Sequence, residues 1–139
     1  MQLDVRGPRF AAAVTTVVLI AIALTGSGWL AAAQAVVFAI GAASARHAPY
    51  GVLFRTVVAP RLGPPAALEP AEPVRFAQGV GFVFATAAAL GYFAGVPALG
   101  LTATAFALVA AFLNAVFGLC LGCETYLLLR RTFGKRAAA

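Results

Sequence analysis

Two cysteines, Cys120 and Cys123, are separated by Leu121 and Gly122 in a chain that holds no other cysteine. On a helix, residues at this spacing share a face, so the two thiols can pair as a disulfide, carry a persulfide or share an ion. Buried cysteine is also a good small apolar residue, and packing alone is the competing explanation. Few other side chains offer chemistry. His47 is the sole histidine, Arg46 precedes it, and Glu124 follows the second cysteine. Cys120, Cys123, His47 and Glu124 have the right residue types for zinc, although their spacing is not that of a known zinc motif. A c-type haem needs histidine where Glu124 stands.

The elements that must position these residues are apolar. The 139 residues are 63% hydrophobic and 10% charged, with a mean hydropathy of +0.96, which is the composition of an integral membrane protein rather than of a soluble domain. Crossing about 30 Å of hydrocarbon takes about 20 apolar residues. Four stretches come near that length: residues 10–25, 29–45, 76–95 and 99–129. The predicted fold is all-α, a single polytopic bundle of four transmembrane helices. An N-terminal signal peptide is the less economical reading, because removing the first stretch would leave only three spans.

All ten basic residues fall in the N-terminal tail, the connection after the second stretch, or the C-terminal end. The other two connections, around Gly26-Ser27-Gly28 and Gly95-Val96-Pro97, carry no charge. Short basic loops stay inside, so both termini are expected on the cytoplasmic side of a bacterial membrane. The net charge of +6 then belongs to a lipid-facing surface. No basic groove interleaved with aromatics points to nucleic acid.

If 99–129 is one helix, Cys120 lies about 31 Å beyond Leu99, at the cytoplasmic rim. The cysteines would then sit toward the helix C-terminus, where the peptide dipoles oppose a thiolate, and Glu124 would oppose it further. Activation would have to come from outside that helix, with Arg46 and His47 as the candidates. The cytoplasmic thiol pools should keep the pair reduced between turnovers. Asn114 is expected to hydrogen-bond a neighbouring helix, and Gly118 with Gly122 to form a small-residue packing face. No Asp, Glu, Lys, Arg or His lies inside the first three spans, which disfavours ion-coupled transport.

Between His47 and Pro73 lie six of the eight prolines. The first half, through Val52, Phe54 and Val58, suits a short interfacial segment between helices two and three, and the second half reads as extended. A faint repeat also divides the chain into two hairpins. Pro8-Arg9-Phe10-Ala11 matches Pro73-Val74-Arg75-Phe76-Ala77, and Tyr50 to Arg55 matches Tyr126 to Arg131, which places His47 where the second hairpin has Cys123.

The segments LDVRGPRFAA, RHAPYGVLFR, PRLGPP, PVRFAQ and NAVFGLCLGC with YLLLRR together resemble a bacterial, mainly actinobacterial, four-helix membrane domain of unknown function. That family is similar in turn, at the level of fold, to the DoxX and MauE class of membrane proteins linked to thiol and quinone redox. The resemblance places the cysteine motif on Cys120 and Cys123, with Asn114, Gly118 and Gly122 in matching places. It implies thiol or sulfur chemistry and a soluble thioredoxin-like or sulfurtransferase partner on the inner face. The residues name no cofactor, and quinone and zinc stay open. Three functions follow in order: a thiol/disulfide redox or sulfur-handling component, a non-catalytic accessory or scaffold subunit, and a small sulfur-solute carrier. The glycine-rich faces leave room for a homo-oligomer.

Overall fold

A computed structural model describes residues 2–65 and 67–138, with side chains described through Phe133. In chain order the elements are β1 (Gln2–Asp4), α1 (Arg6–Thr25), α2 (Gly28–Ala43), a 3-10 turn (Ala45–His47), α3 (Pro49–Leu53), a π turn (Phe54–Val58), α4 (Ala59–Leu62), β2 (Leu68–Pro70), α5 (Ala71–Phe93), α6 (Pro97–Phe117) and α7 (Leu121–Ala138). The all-α expectation holds apart from one short ribbon. Three helices, α1, α5 and α6, are long and apolar enough to cross a membrane. With 16 residues, α2 is apolar but shorter, about 24 Å at 1.5 Å per residue.

The expected continuous helix over 99–129 is broken. Its first part, α6, ends at Phe117, and Gly118 takes a left-handed conformation (φ 69°) that stops it. The amides of Gly118 and Leu119 fold back onto the carbonyls of Asn114 and Leu113, closing the helix end. A new helix, α7, then starts at Leu121. Gly118 thus serves the chain through its backbone freedom rather than as the packing face its sequence spacing suggests.

Small side chains make the core. Leu19 and Ile22 of α1 meet Ala31 of α2, Ala88 and Ala89 of α5, and Ala103 and Ala107 of α6. Large apolar side chains point outward instead: Val17, Leu24, Leu90 and Phe106 are each more than 60% exposed. An apolar exterior around an alanine core suits helices that pack in lipid, where close backbone approach replaces hydrophobic drive. At the tightest approach, a Cβ on Gly91 would lie 2.6 Å from the amide nitrogen of Gly100.

The two hairpins embrace reciprocally, which gives the faint sequence repeat a structural meaning. Arg9 of the first donates to the carbonyls of Ala115 and Val116 at the end of α6, and Arg75 of the second donates to those of Ala42 and Ala43 at the end of α2. A cation at a helix C-terminus satisfies orphan carbonyls and complements the dipole. The matching aromatics behave alike: Phe10 packs on Phe54, and Phe76 on Tyr126.

Within the proline-rich connection, the interfacial half is helical from Pro49 to Leu62. Pro60 has no N–H to return to Thr56, which accounts for the widened π turn just before it. Phe54 is buried there against Gly7 and Phe10. The second half is extended as expected and mostly exposed, and its Leu68–Pro70 stretch pairs antiparallel with Gln2–Asp4. The ribbon leaves Glu69 partly buried, which pushes its carboxyl above the usual range. Asp4 pairs with Arg6 at 2.7 Å, and the hydrogen bond from that guanidinium holds the Asp4 carboxyl below the usual range.

Candidate functional site

The break at Gly118 changes the electrostatic setting of the cysteines. They do not lie near the C-terminal end of a long helix: Cys120 is the residue before α7, and Cys123 lies in its first turn. The Cys120 carbonyl accepts the Glu124 amide, and the Cys120 Sγ accepts the backbone N–H of Cys123 at 3.2 Å. Cys120 therefore occupies the N-cap position, with its sulfur where a capping side-chain oxygen would sit. The field of α7 favours negative charge on that sulfur instead of opposing it. Glu124, exposed in the first turn, complements the same dipole.

Cys120 and Cys123 are joined as a disulfide, with Cα atoms 5.2 Å apart, and both are partly exposed. Two contacts hold their turn in place. On one side, Arg9 reaches across from α1 to the last carbonyls of α6, and its guanidinium lies within 3.9 Å of where a Gly118 side chain would begin. On the other, Gly122 sits directly against Ala77 of α5, where a Cβ would come within 2.7 Å of the Ala77 Cα. Replacing Gly118 by Ala puts a side chain in the left-handed region, which costs about 1–2 kcal/mol. We expect the variant to show that loss in detergent unfolding, together with weaker protection of the α6–α7 turn from proteolysis.

The disulfide forms part of the wall of a cavity of about 320 Å³. Phe38, Phe84 and Phe106 give it an apolar lining, and Gln78 and Asn114 are its amide-bearing residues. Asn114 and Cys120 line this same cavity, brought there by the chain turn at Gly118.

A family model described as a domain of unknown function (DUF4395) matches residues 3–131. The chain belongs to that family. The match runs from β1 into α7 and so includes both hairpins, Arg9 and the cysteine motif. No curated protein and no solved structure matches the chain.

Other candidate residues of this DUF4395 domain are placed elsewhere. His47 is exposed and shares a 2.8 Å hydrogen bond with Ser44, and neither His47 nor Arg46 lines the cavity. The Arg46 carbonyl instead accepts the guanidinium of Arg55. Ser44 and His47 stand in the first hairpin where Cys120 and Cys123 stand in the second, so the repeat pairs each set within its own hairpin. The residues of the zinc alternative are accordingly not gathered, and among the described residues no three His, Cys, Asp or Glu side chains cluster. The cation on the cysteine turn is Arg9. Its place in the Pro-Arg-Phe repeat marked it as a span boundary, but nothing local in the sequence tells which helix end it reaches.

Proposed function

We propose that this protein is a four-span membrane component that exchanges an electron pair with soluble protein thiols through Cys120 and Cys123 at its cytoplasmic rim. The supporting observation is the half-exposed disulfide capping the N-terminus of α7. In the reduced form the Cys120 thiolate attacks a partner disulfide, forming a mixed disulfide and releasing one partner thiolate. Cys123 then loses its proton and attacks the Cys120 sulfur, releasing the second partner thiolate and closing the Cys120–Cys123 bond. Two electrons and two protons pass to the partner. The reverse sequence loads the pair from a partner dithiol.

The four-span topology rests on α2 crossing as a short apolar helix beside α5, with the bilayer thinning or flanking side chains snorkelling to absorb the mismatch. The placement inside rests on the basic connections and on α6, which at 21 residues spans about 31 Å and leaves the cysteine turn beyond its inner end. Arg130 and Arg131 of α7 then face the lipid headgroups.

Differential alkylation in intact and permeabilised bacterial cells tests this reading. The two thiols should react with an impermeant maleimide only after permeabilisation, and should turn unreactive when a disulfide oxidant is added and reactive again when a thiol reductant follows. Labelling from the outer face of intact cells, or a disulfide that no thiol reductant opens, would refute it. Full cellular function with serine at both positions would favour the accessory-subunit reading.

A further inference from the structure

The cavity beside the disulfide exists because neighbouring helices turn small side chains toward one another. Ala77 and Gly81 of α5 and Ala107, Ala110 and Ala111 of α6 border it at helical spacing, leaving about 320 Å³ open between them. That volume lies at the lower end of small-ligand sites. Phe38, Phe84 and Phe106 line it, and none of the residues around it carries a charge. An ion entering such a space would give up its hydration and meet no counter-charge, so the occupant must be neutral. Phe106 marks the way in. It borders the cavity yet is 62% exposed, and its ring packs on that of Phe84 with centroids 6.2 Å apart, so this aromatic pair forms a lipid-facing edge. Cys120 and Cys123 border the same space at the end where α6 gives way to α7. A small, neutral, apolar molecule arriving from the bilayer would therefore come to rest beside the sulfur pair.

We infer that this cavity admits small neutral disulfides with apolar substituents, dissolved in the bilayer, as a second class of substrate for the Cys120/Cys123 dithiol. This rests on the thiol-exchange reading above and names a substrate class for the same site. A disulfide is a neutral group that a dithiol reduces with no further reactant, and no acid, base or cation borders the cavity to support other chemistry. The Cys120 thiolate attacks one substrate sulfur, the substrate S–S bond breaks, and one thiolate leaves. Cys123 then loses its proton and attacks the Cys120 sulfur. The mixed disulfide breaks, the Cys120–Cys123 bond forms, and the second thiolate leaves. Two electrons and two protons pass to the substrate, giving two neutral thiols that can return to lipid past Phe106. Charged disulfides and proteins are held to the exposed side of the pair, so the two classes of substrate reach the sulfurs by different routes.

Purified protein in detergent, reduced and freed of reductant under anaerobic conditions, is mixed with dipropyl disulfide or with the charged dithiodiglycolate. Closure of the pair is followed by loss of alkylatable thiol. Ala110→Phe, which fills the cavity, should slow closure by dipropyl disulfide about tenfold, roughly the loss of two buried methylenes. Ala110→Leu should fall between it and the wild type. Neither variant should alter closure by dithiodiglycolate, and both should elute with the wild type in gel filtration. Partition into detergent changes the dipropyl rate for every variant alike and cannot produce this split. Dipropyl rates that keep the wild-type value in both filled variants would overturn the inference, as would equal slowing with the two disulfides. If dithiodiglycolate closes the wild-type pair and dipropyl disulfide does not, only the inference falls. Closure by neither would remove the thiol-exchange reading as well. Closure by dipropyl disulfide alone, slowed by the filled cavity, would leave the inference standing and remove the soluble-partner reading.

Discussion

With Cys123 replaced by serine, Cys120 should capture a partner disulfide and hold it as a stable mixed disulfide, whereas the Cys120→Ser protein should capture almost none. The asymmetry comes from the start of α7. The Cys120 sulfur receives the Cys123 N–H and sits at the positive end of the helix dipole, so its thiolate is favoured and attacks first. Cys123 is the resolving residue, and without it the intermediate has no intramolecular exit. A helix N-terminus stabilises an anion by up to about 2 kcal/mol, so iodoacetamide at pH 7 should modify Cys120 in Cys123→Ser roughly tenfold faster than Cys123 in Cys120→Ser. Equal rates would show that the end of α7 does not differentiate the two sulfurs.

Adding a single methyl group at Gly122 should be more damaging than most substitutions in the bundle. A Cβ there would lie 2.7 Å from both the Cα and the Cβ of Ala77, and a backbone atom cannot rotate away. Either α7 lifts from α5 or the strain is held, at about 1–3 kcal/mol. We expect Gly122→Ala to move the cysteine turn off the cavity, slowing thiol exchange and exposing the α6–α7 turn to protease, while the disulfide still forms because its two residues belong to one turn. Wild-type exchange and protection in this variant would show that the α5–α7 contact is not needed to present the pair.

Much of the architecture could be read from the residues. Apolar runs marked α1, α5 and α6, the helices long and apolar enough to cross a membrane, and the uncharged glycine-containing connections marked the α1–α2 and α5–α6 turns. The break between α6 and α7 was hidden because the run from Leu99 to Leu129 is apolar on both sides of Gly118, and hydropathy does not register a backbone stop. Glycine is equally common at packing faces and at helix ends. Only the conformation at Gly118 decides between them, and it reverses the electrostatic argument about the cysteines. The contacts of Arg9 and Gly122 could not be read locally either, since each depends on which helices become neighbours. The pairing of β1 with β2 joins segments more than sixty residues apart, with no alternating strand pattern to announce it.

On the proposed function, Cys120 and Cys123 form a working two-electron couple. Its most direct test is equilibration of the purified protein in detergent with thiol/disulfide buffers of graded reducing strength, counting reduced thiols by mass shift after alkylation. One reversible transition is expected, in which both thiols appear and disappear together, within the range that cellular dithiols span. A pair that stays closed against every dithiol buffer, or thiols that once reduced do not close again, would contradict it.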